Sequence, residues 1–450
     1  MKIIQISASY KPAYIYGGPI MSVAKLCEAL VETQEQRAKN KEQRIEIQEQ
    51  GTKSKEWDLK VEVFTTTANG KSELTIDSKT PLLVDGVRVR YFKRLTKDHT
   101  HFSPALLWNL RKEILLNKEQ RTKSKEQRAK IDNITSTNNE QTATNNELII
   151  HIHAWWNLVS VLSCLVAKWY KIPVLLSPRG MLTNYTLGNR NSFSKSLIHY
   201  LIGKRLLRYC HFHATSEKEK LDILSVISPR NITVIPNLVE LGKVQSPKSE
   251  DRSRDEKTTN NEQRTTNNEP IKLIFLSRIE EKKGLELLFE ALAMLKFNWS
   301  LTIAGMGTET YVNSLKQNAE SLKLDKKIDW VGQIDKKDKF NLLASHHLLL
   351  LTSHNENFAN VVIESLSVGT AVLVSKEVGL YDYVEAKNLG WITDLNIDTI
   401  IQQLLDAFDN SVKRKQIRLT APEIIRNDFK VENLVARYLN LYDKISGATI

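Results

Sequence analysis

The chain alternates short, continuous apolar runs with longer stretches in which apolar residues recur at helical spacing. Met1–Ile6, Leu59–Phe64, Leu148–Ile152, Val174–Ser177, Ile271–Leu276 and His347–Leu351 read as strands buried on both faces, as in a parallel sheet covered by helices. Ile20–Leu30 and Val431–Tyr442 read as amphipathic helices. The alternation predicts an α/β chain.

The most informative unit follows the apolar run His347–Leu351. A loop, Thr352–Phe358, leads into a helix that should begin near Ala359 or Asn360 and run to Val368; Gly369 stops it, and Ala371–Val374 is the next buried strand. Two carboxylates fall in this β-loop-α-β unit, Glu356 on the loop and Glu364 inside the helix. The amides of Ala359, Asn360 and Val361 open the helix, and amides at a helix N-terminus form an anion site. A carboxylate on either side of such a site suits a diphosphate flanked by two polyols, which describes a nucleotide-sugar.

With Asn357-Phe-Ala-Asn-Val-Val362 between the two glutamates, this stretch resembles the signature of retaining glycosyltransferases of family 4, which have the GT-B fold. The resemblance implies that Glu356 contacts the donor sugar as a catalytic residue, that Glu364 holds the ribose hydroxyls, and that the phosphates lie on Phe358, Ala359, Asn360 and Val361. Asn357 and Ala359 stand where that family frequently has glycine, which bears on the identity of the donor more than on activity. An ordinary α/β unit with two surface glutamates has the same spacing, so the rest of the chain carries weight.

A second motif begins at the strand ending in Ser277, with a helix expected near Gly284. Arg278 and Lys283 then occupy a strand C-terminus and a helix N-terminus, at the edge where open α/β sheets bind ligands. Two cations there complement a diphosphate without a metal. The resemblance implies that they stabilise the departing nucleoside diphosphate; ordinary surface charge is the alternative, since Glu280, Glu281 and Lys282 are adjacent. The runs Leu301–Gly305 and Ile328–Gly332 are strands ending in glycine, and the family places the nucleotide base beside Gly305 and Gly332. No Asp-x-Asp pair of the kind that holds a metal with a nucleotide-sugar occurs in the sequence. The expected site is metal-independent and needs no cofactor.

The first strand leads to Gly17-Gly18-Pro19 at the start of a helix. Two glycines permit close backbone approach, and the proline pre-sets the first turn. This is neither a Rossmann Gly-x-Gly-x-x-Gly nor a P-loop; the resemblance implies that Gly17 and Gly18 reach over the donor diphosphate. His151 and His153 have strand spacing and share a face, but no third metal ligand is evident beside them. His151-Ile-His153-Ala-Trp-Trp, together with Pro178-Arg179-Gly180-Met-Leu, resembles family 4 enzymes that build bacterial surface polysaccharides. That resemblance implies that His153 faces the reacting sugar and acceptor, whereas His151 suits a packed position. Arg179 is the candidate acceptor or phosphate contact, with a structural salt bridge as the alternative. His213–Glu217 and Val234–Leu238 resemble family markers near the domain junction.

Composition then sets boundaries. The 450 residues, 41% of them hydrophobic, allow two cored domains. They are expected at 1–245 and 271–428, with a linker at 246–270 and a last helix, 429–450, that returns to the first domain. Segments 32–57, 117–147 and 246–270 reuse the words Lys-Glu-Gln-Arg and Thr-Asn-Asn-Glu and carry few apolar residues. They read as low-complexity insertions in surface loops, with transient helix allowed in the first two. Three cysteines, an odd and sparse set, point to a reducing compartment, and neither a signal peptide nor a membrane span is evident.

The net charge is +12, and nearly all of the excess falls on the N-terminal body. Much of it lies in Arg88–Lys97 and in the basic amphipathic stretch Lys195–Arg208, which suits an anionic membrane surface. The insertions are nearly neutral and lack interleaved aromatics, so no nucleic-acid partner is expected.

The sequence therefore predicts a GT-B protein, two Rossmann-like domains facing across a cleft. Its expected reaction is a retaining transfer, of the hexosyltransferase kind, from a UDP- or GDP-sugar to a hydroxyl of a glycan or lipid-linked acceptor in cell-surface polysaccharide synthesis. It would act in the cytoplasm or peripherally on the inner face of the plasma membrane. A nucleotide-sugar epimerase on the same fold and a non-enzymatic basic binding protein are the alternatives.

Overall fold

A computed structural model describes residues 1–45, 59–98, 100–132, 147–183, 203–242 and 270–447. The chain divides into one unit made of Met1–Leu238 with Val431–Ile450, and a second made of Val239–Lys430.

The first unit contains β1 (Lys2–Ile6), α1 (Gly18–Ile45), β2 (Lys60–Thr66), a small hairpin β3 (Ala68–Asn69) and β4 (Ser72–Glu73), β5 (Leu82–Val84), β6 (Val87–Phe92), α2 (Pro104–Asp132) and β7 (Leu148–His153). It continues with α3 (Leu158–Trp169), β8 (Val174–Ser177), α4 (Lys204–Leu207), β9 (His211–Ala214), α5 (Glu217–Val226) and β10 (Ile232–Val234). Its sheet has the order β10-β9-β8-β7-β1-β2-β6-β5 and is parallel except for the antiparallel edge strand β5. α3 and α5 start on side-chain caps: Asn157 accepts from the Ser160 amide and Ser216 from the Glu219 amide.

The second unit contains β11 (Ile271–Leu276), α6 (Leu285–Ala293), β12 (Trp299–Ala304), α7 (Glu309–Ser321), β13 (Ile328–Gly332), α8 (Lys336–Ala344), β14 (Leu348–Leu351) and α9 (Asn360–Ser367). β15 (Ala371–Ser375), α10 (Tyr381–Ala386), β16 (Gly390–Thr393), α11 (Ile397–Asp409) and α12 (Ser411–Asp428) complete it. All its strand pairs are parallel, in the order β13-β12-β11-β14-β15-β16. This is the Rossmann-type order 3-2-1-4-5-6, and the seven parallel strands of the first sheet follow the same scheme with one more strand. Each sheet therefore has one point at which the strand order reverses, between β1 and β7 and between β11 and β14. The strands beside these points are apolar and buried: β14 is Leu-Leu-Leu-Leu, buried throughout, and Ile3, Ile4 and Ile6 of β1 are inaccessible.

One expectation is corrected. Segments 32–57 and 117–147 are not simply set apart from the fold, because α1 continues to Ile45 and α2 to Asp132. Their Lys, Glu, Gln, Arg and Ala residues are strong helix formers, and extending an existing helix avoids the cost of nucleation. The remainder of both segments, and 246–269, lie outside the described residues. The basic stretch Lys195–Arg208 is described only from Gly203, where α4 spans four residues.

The last helix, α13 (Val431–Gly447), belongs to the first unit. It buries Leu434, Val435, Tyr438, Leu441, Tyr442 and Ile445, and it is joined to the sheet by a polar cluster inside the core. Tyr442 Oη lies 2.8 Å from His151 Nδ1 and accepts from Gln5 Nε2 at 3.1 Å. His151 Nε2 is 2.7 Å from Ser177 Oγ, which is 2.6 Å from His213 Nδ1. His213 Nε2 is 2.8 Å from the Ile235 carbonyl oxygen and 3.1 Å from Tyr438 Oη. Burial, with added repulsion from Arg179, holds His151 and His153 well below the usual histidine range and His213 at about 3. Burial also lowers His211, His346 and His347.

Among the described residues, no helix is long and apolar enough to cross a membrane.

Two outcomes follow from this packing. Replacing 119–146 by a short Gly-Ser turn should leave the melting profile of the protein nearly unchanged, because the described part of that segment is mostly exposed and contributes nothing to the core clusters; failure of this variant to fold would assign the segment a place in the core. The second outcome concerns acid. The buried rings stay neutral when folded but take protons below about pH 6.5 when unfolded. Their stabilisation is complete above that pH and is lost as pH falls toward the folded values. The melting temperature should drop between about pH 7 and about pH 5, each fully neutral ring costing about 1.4 kcal/mol per pH unit below its unfolded pKa. A melting temperature flat across that interval would contradict neutral burial.

Candidate active site

In the second unit, the ends of β11, β12, β13 and β14 bring most of the sequence-derived donor residues to one sheet edge. β11 ends at Leu276 and runs through Ser277 into Arg278. The chain then makes a turn of 3₁₀ helix, Glu281–Lys283, closed by Gly284 in the left-handed region at φ 66°. A Cβ at Gly284 would stand 2.3 Å from the Thr352 carbonyl oxygen, so only glycine lets this turn close against the end of β14. The Thr352 hydroxyl donates to the Gly284 carbonyl at 3.1 Å, and the His354 amide donates to the Lys282 carbonyl at 2.8 Å.

That clamp carries Lys283 to Glu356, and the two form an ion pair. Lys283 is 3% exposed, and burial lowers its ammonium pKa while the Glu356 carboxylate acts in the opposite direction. The Glu356 loop is fixed by its backbone: the Glu356 amide donates to the Glu377 carbonyl at 3.1 Å, and the Gly379 amide donates to the Glu356 carbonyl at 2.8 Å. A buried cation needs its partner, so removing either side chain alone would strand the other.

α9 begins at Asn360, within the expected range. Its N-cap residue Ala359 has φ 65°, a left-handed conformation that explains why a glycine suits this position. Phe358 is buried and meets Phe429 edge-on at 6.4 Å, which anchors the helix entry. The amides of Ala359, Asn360 and Val361 lie in the first turn, where a helix offers no carbonyl partner of its own. One turn further on, Glu364 pairs with Lys339 of α8 at 2.7 Å. Lys339 is a residue that the sequence reading missed. It sits in the run Lys336-Lys-Asp-Lys339, and charge alone gives no sign of which lysine turns inward.

The other donor candidates are less closely tied to this pair. Arg278 is half-exposed and engaged with Glu280 at 2.6 Å, the surface arrangement weighed above as the alternative. Gly305 has φ 145°, its amide donates to the Gly332 carbonyl at 2.7 Å, and a Cβ there would stand 1.8 Å from the Ser277 carbonyl oxygen. Close packing of the β11 and β12 ends is thus sufficient reason for that glycine. Gly332, at φ 69°, has open space where a Cβ would be.

In the first unit, β1 leads through the 3₁₀ turn Tyr14–Tyr16 to Gly17, at φ 69°, and Gly18 opens α1. Tyr14 and Ile15 beside them are 54% and 63% exposed. His153 ends β7 next to the reversal of strand order. The expected contrast between an outward His153 and a packed His151 is not found. His153 is 2% exposed and packs against His151 with ring centroids 4.1 Å apart and the rings tilted by 41°. Its Nε2 is 2.8 Å from Gln5 Oε1 and its Nδ1 is 3.4 Å from Arg179 Nη2. The neighbouring strands β1 and β7 of this eight-stranded sheet bring Gln5, His151 and His153 into one layer, and all three are covered.

Arg179 has φ 57° and gives its Nη1 to Asn237 Oδ1, while its Nε is buried without a partner. The structural salt bridge weighed in the sequence reading is not among the ion pairs of the described residues; its hydrogen-bond partners are the neutral side chains of Asn237 and His153. Gly180, next in the chain, is held through its amide by Glu219 at 2.7 Å.

Comparison with known proteins bears on the fold and the family. The family described as glycosyl transferases group 1 matches residues 256–423. A human phosphatidylinositol N-acetylglucosaminyltransferase component is 24% identical over 307 residues, 66% of this chain and 58% of that protein. The N-acetyl-alpha-D-glucosaminyl L-malate synthase of Bacillus anthracis is 22% identical over 173 residues, 38% of this chain and 44% of that protein. The chain thus spans about half the length of the curated relatives it matches. Among solved structures, Anabaena HepE in complex with UDP and glucose superposes with a TM-score of 0.64 at 16% identity, covering 99% of this chain and 100% of that one. The shared strand order and the superposition lead to one conclusion: the chain has the GT-B fold, and within its second unit residues 256–423 are similar to the glycosyl transferases group 1.

Proposed function

We propose that the protein is a retaining glycosyltransferase that moves a sugar from a nucleoside-diphosphate sugar, UDP-linked or GDP-linked, to a hydroxyl of a glycan or lipid-linked acceptor in cell-surface polysaccharide synthesis. The observation that carries this reading is the buried Lys283–Glu356 pair beside the start of α9, with Glu364 one turn inside the helix. UDP is favoured as the donor nucleotide by the HepE complexes with UDP and with UDP-glucose. A lipid-linked acceptor is favoured by the names of two relatives, the phosphatidylinositol transferase and an alpha-monoglucosyldiacylglycerol synthase of Streptococcus pneumoniae.

In this reading the diphosphate lies on the Ala359–Val361 amides, with its charge met by Lys283 and Arg278. The bond between the anomeric carbon and the diphosphate oxygen breaks, and the acceptor oxygen bonds to that carbon from the same face. The acceptor proton passes to the departing diphosphate. The lysine, the arginine and the amides are fixed before the charge develops, which is the economical way to stabilise it. Glu356 holds the sugar and Glu364 the ribose. Because these positive groups supply the potential a metal would supply, turnover needs no divalent ion.

The reading extends to an anionic membrane surface on the first unit. α2 and α3 lie side by side there, tied by Arg111 Nε donating to Tyr170 Oη at 2.8 Å. They expose Trp108 (66%) and Trp169 (80%), and Arg111 and Lys168 are on the same helices. Lys168 Nζ donates to the Arg205 carbonyl, and the Lys204 and Arg205 side chains are exposed. Exposed indole rings among cations suit the headgroup layer of an anionic bilayer.

Two experiments test this. With a panel of nucleotide-sugars in EDTA, the wild type should transfer sugar, Glu356→Gln should lose at least about a hundredfold in kcat while still binding free nucleotide, and Glu364→Gln should weaken nucleotide binding about tenfold. Wild-type behaviour in both variants, or transfer that requires added Mg or Mn, would reject the site or the mechanism; an epimerised free donor with no transfer would identify the epimerase alternative. For the surface, co-sedimentation should occur with phosphatidylglycerol vesicles at low salt and weaken at high salt, since the Debye length falls to about 3 Å at 1 M. Equal binding to phosphatidylcholine, or none to either, would leave a soluble glycan as acceptor.

A further inference from the structure

The buried polar cluster of the first unit has a direction that its geometry dictates. At one end, His213 Nε2 lies 2.8 Å from the Ile235 carbonyl, which can only accept, and farther off, at 3.1 Å, from the Tyr438 hydroxyl oxygen, which can share that proton as a second acceptor. The proton of a neutral His213 is therefore on Nε2, and its Nδ1 is a lone pair. Ser177 must then donate to Nδ1 and accept from His151 Nε2. With its proton on Nε2, His151 accepts at Nδ1 from the Tyr442 hydroxyl, and Tyr442 in turn accepts from the Gln5 amide nitrogen. The Gln5 carbonyl oxygen faces His153 Nε2 and accepts its proton. His153 Nδ1 is left as a lone pair, and it faces Arg179 Nη2, which can only donate.

The opposite direction fails at both ends at once. It would put the His153 proton against the guanidinium and the bare His213 Nε2 lone pair against a carbonyl oxygen. A chain tracing seven side chains, from Arg179 to His213, thus has a single neutral arrangement, and its two ends agree on it independently. Both ends also return to the same short segment, because Arg179 donates to Asn237 and His213 to Ile235. The lowered basicity of all three rings is consistent with neutral imidazoles throughout.

We propose that Gln5 and Tyr442 are positioning residues: they transmit a one-way hydrogen-bond chain that fixes His153 as the neutral Nε2–H tautomer and so presents the Nδ1 lone pair that orients Arg179. The consequence for acceptor binding rests on the reading of Arg179 as an acceptor contact; the direction of the chain does not. His153 accordingly acts through Arg179 rather than by touching substrate, which accounts for its burial beside the strand reversal.

Long-range nitrogen–proton NMR of isotope-labelled histidines in the full chain tests the direction. His151, His153 and His213 should all carry their proton on Nε2; Nδ1–H at His153 would overturn the proposal. Gln5→Glu gives a sharper test. A carboxylate still accepts from His153, but it also accepts the hydrogen bond of the Tyr442 hydroxyl, so Tyr442 Oη faces His151 Nδ1 as an acceptor; His151 should take up a solvent proton on Nδ1, balancing the carboxylate charge, while His151 and His153 both keep Nε2–H. Adding Tyr442→Phe to Gln5→Glu should abolish that change at His151, because the hydroxyl link is cut although the charge remains. A change at His151 that persists in the double variant would show a field effect and reject the chain. For function, Gln5→Met keeps the volume and removes both hydrogen bonds. It should raise the acceptor KM up to about tenfold, the worth of one hydrogen bond, with the donor KM unchanged. Unchanged acceptor KM with correct tautomers would reject the positioning role alone. Wild-type protein that transfers no sugar would instead count against the proposed function and leave the NMR result standing.

Discussion

Both units depend on one constraint. A parallel sheet covered on both faces has no wet side, so its strands must be apolar, and polar side chains can emerge only where strands end. The Leu-Leu-Leu-Leu strand β14 obeys this fully, and the chemistry begins at the next residues, Thr352 to Glu356. The same holds for β11, which delivers Ser277 and Arg278 as it leaves the sheet. The site residues cluster because the core excludes them from everywhere else.

The first unit bends this rule and shows what the exception requires. Gln5, His151 and His153 are strand residues that are nearly or wholly inaccessible. Polar groups buried in this way are tolerable only when each donor meets an acceptor, and a partly satisfied set would be worse than an apolar one. The hydroxyls of Ser177 and Tyr442 close the gaps, because a hydroxyl both donates and accepts. One of those hydroxyls comes from the far end of the chain, so the last helix is bound to the first strand through polar complementarity as well as apolar contact.

How much of this was legible in the sequence follows from the same physics. Apolar runs and glycine stops place the strands and the start of α9 within a residue or two, because both are local in origin. Glu356 and Glu364 stand out for the same reason, since each is positioned by the turn or helix it sits in. Partners that come from elsewhere in the fold are invisible: Lys339 is one of three lysines in four residues, Gln5 looks like a break in an apolar strand, and Tyr442 passes for one more residue on an amphipathic helix. His153 was misjudged because spacing says which face a side chain takes, and not how deeply a neighbouring helix covers that face. The repetitive segments misled in the opposite sense. Low hydrophobicity argues against a core position, but it does not argue against helix where a helix already runs into the segment.

The return of α13 to the first unit also fixes an order of events during synthesis. Chains are made from the N-terminus, and domains usually fold as they emerge, the first before the second. Here the unit that begins first cannot be finished first: the side chains that cap its polar core, Tyr438 and Tyr442, follow everything in Val239–Lys430. The second unit is continuous in sequence and has all its parts as soon as Lys430 is clear of the ribosome. Until α13 has followed it, the first sheet waits without the Tyr438 and Tyr442 partners of Gln5, His151 and His213, an interval in which a chaperone has a defined surface to protect.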